Sequence, residues 1–203
     1  NDPKKNTETL KEITTEAQRL DAAFLIGGDR PSSPGEFENY GIFIDERGEI
    51  SGEYLKQHPV PFGEYIPFRK YLDWIPPLSL VPRDMVRGTQ QQVFTTNKNE
   101  IKISPVISFE GSFDRYIRRS VVQGAEVVVI LTNQASYGES GMSDQFILMS
   151  RANAISNNRD IAHAAITGKS AFISGIDGDI YSSSGLFTDA VLTDEIKTSN
   201  KLT

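Results

Sequence analysis

Near the start of the chain, apolar residues first recur with a helical period and then form a short continuous run. Within residues 7–20 they recur every three or four positions, which predicts an amphipathic helix. The apolar positions are Leu10, Ile13, Ala17 and Leu20. Residues 22–28 are almost entirely apolar and predict a buried strand, so the chain begins like a layered α/β domain.

The middle of the chain changes character twice. Residues 29–38 are rich in Pro, Gly and charge and predict a loop, and residues 40–45 and 50–55 predict a β-hairpin. Residues 56–92 contain six prolines and several aromatic residues. This segment predicts irregular structure, and an irregular segment of such length is usually functional.

The second half alternates between apolar runs and helical patterns. Strands are predicted at 101–109, 125–132, 160–167 and 170–176, and helices at 112–123 and 143–157. The turn Asp177-Gly178-Asp179 predicts a final hairpin. Buried β-branched strands between helices favour helices packed on sheets.

Length, charge and residue composition exclude several classes of partner and of reactive site. The chain has 203 residues, which suits a single domain over 1–203, and its net charge of −6 argues against nucleic acid as a partner. It contains no cysteine and only two histidines, so we expect no metal, no cofactor and no thiol nucleophile. No apolar stretch approaches the roughly 20 residues that span a bilayer. Because the chain opens at Asn1, we expect it to be part of a longer protein.

Three places carry candidate chemistry. Lys56 and Glu64 lie on a proline-stiffened loop, which suits a preorganised site, although a random Lys/Glu pair is usually just solvated surface. Ser108 lies where an apolar strand gives way to a helix, a position that exposes side chains and backbone N–H groups; an ordinary strand-end serine is the alternative. Asn133 begins a polar loop after the most hydrophobic strand.

Together these places resemble the apolipoprotein N-acyltransferase family of carbon–nitrogen hydrolases (the nitrilase superfamily), in an actinobacterial-like form. The segment Tyr-x-Lys-x-His-x-Val-Pro-Phe-Gly-Glu-Tyr-Ile-Pro, from Tyr54 to Pro67, is similar to the family's motif. Ile107-Ser-Phe-Glu110 resembles a strand end where the family has Ile-Cys-Tyr/Phe-Glu. Asn133-Gln-Ala-Ser-Tyr-Gly138 resembles a third family motif without its central aromatic residue, and the similarity covers nearly the whole chain in order.

The resemblance implies a four-layer α-β-β-α sandwich and a Glu–Lys–Cys triad. Lys56 matches the triad lysine and Ser108 the nucleophile, while Glu64 and Glu110 match accessory acidic residues. The triad's first glutamate precedes the family's first helix and is expected upstream of this chain. We also expect five residues to bind substrate: Phe109, Asn133, Tyr137, Phe62 and Tyr65.

The resemblance also implies a function and a place. Such a domain lies on the extracytoplasmic face of the bacterial cell membrane, within a polytopic membrane protein from which this chain is excised. It moves an acyl chain from phospholipid to the lipidated N-terminal cysteine of an apolipoprotein through an acyl-enzyme. Because serine is far less acidic than cysteine, we expect this chain to be inactive, whether Ser108 is engineered or natural.

Two other hypotheses remain. The chain is a catalytically dead scaffold of a membrane protein, or it is a soluble carbon–nitrogen hydrolase such as an amidase. The Val60–Glu64 context argues against the amidase. A native cysteine at position 108 in the full-length gene would favour the acyltransferase, and a native serine would favour the scaffold.

Overall fold

The computed structural model describes residues 7–72 and 74–199, which form two β-sheets. The first sheet contains β1 (Phe24–Pro31), β2 (Glu36–Ile44), β3 (Ile50–Leu55) and β4 (Asp84–Met85). The second contains β5 (Phe94–Thr95), β6 (Lys102–Ile107), β7 (Val127–Asn133), β8 (Ile161–Ile166), β9 (Ala171–Ile173) and β10 (Ile180–Ser183). The helices are α1 (Thr7–Leu20), α2 (Arg69–Leu72), α3 (Asp114–Val122) and α4 (Met142–Asn157).

Strand order brings the candidate residues to one edge. In the first sheet, β1, β2 and β3 are antiparallel neighbours, and β4 pairs with the start of β2. The second sheet has the order β10-β9-β8-β7-β6-β5, and its central strands β6, β7 and β8 are parallel. The C-terminal ends of β6 and β7 therefore meet at the same edge, where Ser108 and Asn133 follow.

Each sheet carries helices on one face and the other sheet on the opposite face. Ala17 of α1 packs on Tyr40, Ile42 and Ile44 of the first sheet. Helices α3 and α4 pack on the second sheet, and their cluster includes Ile117 and Ile130. Between the sheets lies a third buried cluster formed by Phe43, Tyr54, Phe94 and Ile107. The predicted four-layer α-β-β-α sandwich is therefore confirmed.

Two facing glycines let the sheets approach closely. Gly27 of β1 lies opposite Gly41 of β2 in the antiparallel register. A Cβ at Gly41 would lie 3.3 Å from the Leu131 Cδ1 atom of β7, and one at Gly27 would lie 3.6 Å from the Leu131 Cβ atom. A larger side chain at either position would push β1 and β2 away from β7.

Element bounds differ from the sequence predictions in several places; for example, the strand predicted at 170–176 ends at Ile173. Residues 29–38 form a tighter connection than the predicted loop, because β1 runs to Pro31 and β2 begins at Glu36. The helix predicted at 112–123 is preceded by a 3₁₀ turn, Ser108–Ser112, and α3 begins only at Asp114. Strand β5 was not predicted. Among the described residues, no helix has the length and apolar character needed to cross a membrane.

Candidate active site

Ser108 lies immediately after β6, in a strained backbone conformation. Its φ of +53° is in the left-handed region, which is uncommon for a residue other than glycine. The next turn is fixed from outside, since the Asn153 side-chain amide of α4 donates to the Gly111 carbonyl oxygen at 2.8 Å. Ser108 itself is half-buried. Strain held in place by surrounding contacts is typical of residues mounted for function.

Lys56 follows β3 and has no exposed surface, yet it carries a paired charge. Its Nζ donates to both carboxylate oxygens of Glu64, at 2.6 and 2.7 Å. Glu64 also accepts the Val60 backbone N–H at 2.8 Å and the Asn39 side-chain amide at 3.2 Å. The pair is thus held by β2, β3 and the loop between Val60 and Glu64, and its geometry leaves little freedom for the ammonium.

Glu110 joins the segment of Lys56 to the segment of Ser108. One of its oxygens accepts the backbone N–H groups of Gln57 and His58, at 2.5 and 2.9 Å. The other accepts the Ile107 N–H at 2.9 Å and the Tyr54 hydroxyl at 2.7 Å. Gln57 and Ile107 are the chain neighbours of Lys56 and Ser108, so one buried carboxylate holds both segments together. Burial raises the pKa of Glu110, and these four hydrogen bonds act in the opposite direction.

The loop after β7 contributes Tyr137 to the same region. Burial, followed by the negative charge of Glu64, raises the pKa of Tyr137. Its ring lies 5.7 Å from that of Phe146. Asn133 lies exposed at the end of β7, where its side-chain oxygen accepts the Ala135 N–H at 3.0 Å. Asn133 therefore shapes its own loop.

The aromatic segment before β4 faces outward in part. Phe62 is 55% exposed, and Phe68, Tyr71 and Trp74 are 70% exposed or more, whereas Tyr65 is half-buried. Most of these aromatic rings therefore face solvent. Phe62 has a φ of +59°, and its N–H donates to the Tyr65 carbonyl oxygen at 2.8 Å. This tight turn presents the Phe62 ring beside the loop that carries Glu64.

His58 packs into an aromatic cluster. Its ring centroid lies 5.7 Å from that of Phe109 and 4.9 Å from that of Phe113. Its Nδ1 lies 3.2 Å from a guanidinium nitrogen of Arg115. Burial, followed by the positive charges of Arg115, Arg87 and Lys56, lowers the pKa of His58. This nitrogen contacts Arg115, and the His58 ring stacks on Phe109, the residue after the candidate nucleophile.

Sequence reasoning missed several residues of the site. Tyr54 lies two positions before Lys56 on the same face of the chain, a spacing that could have identified it. Asn39, on β2, bonds to Glu64 and accepts the Lys56 N–H through its carbonyl oxygen at 2.9 Å. Nothing in the sequence around Asn39 or Arg115 signals these contacts, because both are made across the fold.

Comparison with known proteins gives a consistent family. Residues 2–200 match the family model described as carbon-nitrogen hydrolase. An apolipoprotein N-acyltransferase of Geobacter metallireducens is 32% identical over 184 residues, covering 89% of this chain and 35% of that protein. One from Mycolicibacterium smegmatis is 31% identical over 207 residues, covering 100% and 34%. The chain thus spans about a third of the length of these curated relatives.

Solved structures show the same fold. An amidase from Nesterenkonia sp. matches with a TM-score of 0.65 at 18% identity, over 88% of this chain and 63% of that one. A cysteine-to-serine mutant of the Nesterenkonia AN1 amidase, from the nitrilase superfamily, also has a TM-score of 0.65, at 19% identity over 88% and 64%. Because the family model matches residues 2–200 of this chain, the chain belongs to the carbon–nitrogen hydrolase family, and it shares the sandwich fold with these amidases.

Proposed function

We propose that residues 1–203 form the acyl-transfer domain of an apolipoprotein N-acyltransferase, a single unit of a larger polytopic membrane protein. The buried Lys56–Glu64 pair, tied through Glu110 to the strained position 108, is the observation that carries this proposal. In this function the domain works on the extracytoplasmic face of the cell membrane. Its acyl donor is a phospholipid, and its acceptor is the amino group of an apolipoprotein's lipidated cysteine.

The proposed chemistry has two acyl-transfer steps. A nucleophile at position 108 gives its proton to a carboxylate base and attacks the ester carbonyl carbon of the phospholipid. The ester C–O bond then breaks, and the lysophospholipid leaves as an alcohol after taking up that proton. The acceptor amine next attacks the acyl-enzyme, forms the amide and loses a proton, which returns to the released nucleophile. Lys56 and the Phe109 N–H are the groups proposed to stabilise the oxyanion in both steps. Glu64 holds the ammonium of Lys56, and Glu110 holds the two segments in register.

Serine at position 108 makes the first step difficult. A thiol with a pKa of about 8.5 is within reach of a carboxylate base near a cation, whereas an alkyl hydroxyl is far less acidic. Serine nucleophiles normally use a histidine or lysine base. Lys56 is bonded to Glu64, and the Nδ1 of His58 contacts Arg115. We therefore propose that this serine form does not turn over.

The test is intact-mass spectrometry of the Ser108→Cys variant of the full-length protein incubated with phospholipid. The expected result is an added acyl mass that hydroxylamine removes and that is absent from a Ser108→Cys, Lys56→Met double variant. The serine form is expected to show no adduct. A folded Ser108→Cys protein that gives no adduct with a range of phospholipids would overturn the proposal.

A second function, a catalytically dead scaffold in a membrane protein, is favoured by Ser108 alone. The scaffold needs the sandwich and its surface but no acyl-enzyme. Failure of the Ser108→Cys variant to acylate, in a protein that still folds, would move the assignment to this scaffold.

A further inference from the structure

Arginines in this chain fall into two groups. Arg19, Arg30, Arg47 and Arg69 each form an ion pair with a carboxylate. Across residues 7–72 and 74–199, several other arginines form no such pair, and three of these are Arg87, Arg115 and Arg119. All three are exposed, and all lie near the Gln57–His58 segment beside the candidate active site. A local excess of positive charge is unexpected in a chain whose net charge is −6.

Two of these arginines approach His58 from different segments. Arg115, on α3, lies 3.2 Å from the His58 Nδ1 and is fixed by stacking 4.7 Å above the Phe113 ring. Arg87 stacks over the Tyr65 ring at 5.2 Å, and its neighbour Gly88 donates to the Lys56 carbonyl oxygen at 2.8 Å. The charges of both guanidiniums, after burial, lower the pKa of His58.

The third arginine lines an adjoining polar pocket. Arg119 follows Arg115 by one turn of α3 and packs 5.7 Å from the same Tyr116 ring that Arg115 covers. The pocket has a volume of about 380 Å³ and is lined by Gln57, Thr89, Gln90, Gln91, Arg119 and Gln123. Gln57 and Gln91 are hydrogen-bonded to each other. The side chains of Thr89, Gln90 and Gln123 offer both donors and acceptors, so this space suits a polar group that carries hydroxyl or amine functions.

We propose that Arg87 and Arg115 bind the phosphodiester of the acyl donor, with its polar headgroup in the pocket of Arg119. This inference rests on the proposed function, since it names how that site recognises its donor. Guanidinium groups match phosphate oxygens in a bidentate manner, and an anion would relieve the repulsion among three unpaired cations. The location also fits, because the His58 ring stacks on Phe109, the residue after Ser108. In a glycerophospholipid only a few bonds separate the phosphate from the ester carbonyl.

The His58 ring provides a direct probe of binding. The chain has only two histidines, and the other, His163, is buried, so the two ring signals in an NMR spectrum are distinguishable. The ligands are glycerophosphoethanolamine, inorganic phosphate and, as an uncharged control, glycerol, all at constant ionic strength. We expect a saturable shift of the His58 signal with glycerophosphoethanolamine. Arg87→Gln and Arg115→Gln should each weaken that binding at least about tenfold.

Matched controls separate recognition from general charge. Arg118→Gln removes the same charge from an exposed position of α3 between Arg115 and Arg119. Arg118→Gln should leave the affinity for glycerophosphoethanolamine unchanged. Arg115→Lys should retain only part of the wild-type affinity, because lysine lacks the forked guanidinium group. An unchanged His163 signal in each variant reports that the fold is retained.

Three results would overturn the inference. These are no saturable shift with the phosphodiester, an equal loss of affinity in Arg118→Gln, or binding of inorganic phosphate alone, which would make this a site for a free anion. Because the measurement involves no acyl transfer, it is independent of the Ser108→Cys test. Phosphodiester binding in a protein whose Ser108→Cys variant forms no acyl adduct would support the anion site and overturn the proposed acyl transfer.

Discussion

At the scale of single residues, the buried Lys56–Glu64 pair is the most consequential feature. An unpaired ammonium with no exposed surface would be strongly destabilising, whereas the pair with two short hydrogen bonds offsets most of its desolvation. Such a pair contributes little net stability by itself. The pair instead positions the loop, because Glu64 bonds at once to the Lys56 ammonium and to the Val60 N–H of its own turn.

A double-mutant cycle tests this dependence. We expect Lys56→Met to lower the free energy of unfolding by about 2–4 kcal/mol, and Glu64→Gln by a similar amount. The first leaves the half-buried Glu64 carboxylate, and the second the fully buried Lys56 ammonium, without its partner. The double variant should lose about 1–3 kcal/mol less than the sum of the two. Urea unfolding measures all four proteins.

The exposed pair Arg19–Glu16 on α1 is the control for this cycle. Its side chains are 63% and 46% exposed, so solvent screens the pair and its coupling should be far smaller than that of Lys56 and Glu64. Additive effects at Lys56 and Glu64 would mean that their ion pair does not fix the loop.

The sequence predicted the position of Ser108 but not its conformation. An apolar strand ending in Ser-Phe-Glu is visible in the pattern, and the strand does end at Ile107. The positive φ of Ser108 depends on contacts from α4 and Glu110, which lie elsewhere in the chain or act through their side chains. Local pattern carries no information about such contacts.

At the scale of elements, Glu110 acts as a clamp between β3 and β6. We expect Glu110→Gln to lower the free energy of unfolding by about 3 kcal/mol or more. The reason is that the glutamine NH₂ would face donor groups and leave buried N–H groups without an acceptor. Tyr54→Phe removes one of the four donors and should cost about 1 kcal/mol.

Amide hydrogen exchange at Gln57 and His58 locates the effect of this clamp. Glu110→Gln should raise the exchange rates at these two positions far more than Tyr54→Phe does, since both N–H groups bond directly to the Glu110 carboxylate. If exchange there is unchanged while global stability falls, the clamp is not what orders the Lys56 loop.

Elements with a strong local period were the most predictable. Helix α1 begins and ends at the predicted residues, Thr7 and Leu20, because its apolar stripe repeats over nearly four turns. The region 29–38 was predicted as a loop from its Pro and Gly content. In the structure β1 and β2 instead extend into this region and pair with each other. Arg30 of β1 forms ion pairs with Glu38 of β2 and with Glu53 of β3. Cross-strand ion pairs of this kind do not appear in composition.

At the scale of the whole molecule, the two sheets divide the candidate site between them. Lys56 follows a strand of the first sheet and Ser108 a strand of the second, so neither half of the sequence contains the whole candidate site. The order of strands was not predictable from periodicity, because a parallel sheet is defined by its crossovers. The resemblance of the motifs, by contrast, implied the sandwich directly, and the fold bears it out.

Stability of the whole sandwich should depend on pH through His163. This residue of β8 is 2% exposed, with its Nδ1 3.0 Å from the Ser150 hydroxyl of α4, and burial lowers its pKa from 6.5 to about 4. Below pH 6.5 the His163 side chain binds a proton in the unfolded chain but stays neutral in the folded chain until the pH approaches 4. The stabilisation is therefore complete above pH 6.5 and is lost as the pH falls toward 4. The loss should reach about 3 kcal/mol, from 1.36 kcal/mol for each pKa unit.

Urea unfolding at several values between pH 7 and pH 4 measures this loss against a His163→Asn variant. Asparagine does not titrate. The free energy of unfolding of the variant therefore still depends on pH through the carboxylates but no longer through the imidazole. We expect the wild-type free energy of unfolding to fall more steeply than that of the variant across this window, and the two curves to run parallel above pH 7. Equal slopes below pH 6.5 would mean that His163 is protonated in the folded sandwich. The core between β8 and α4 would then have to open or admit water on acidification.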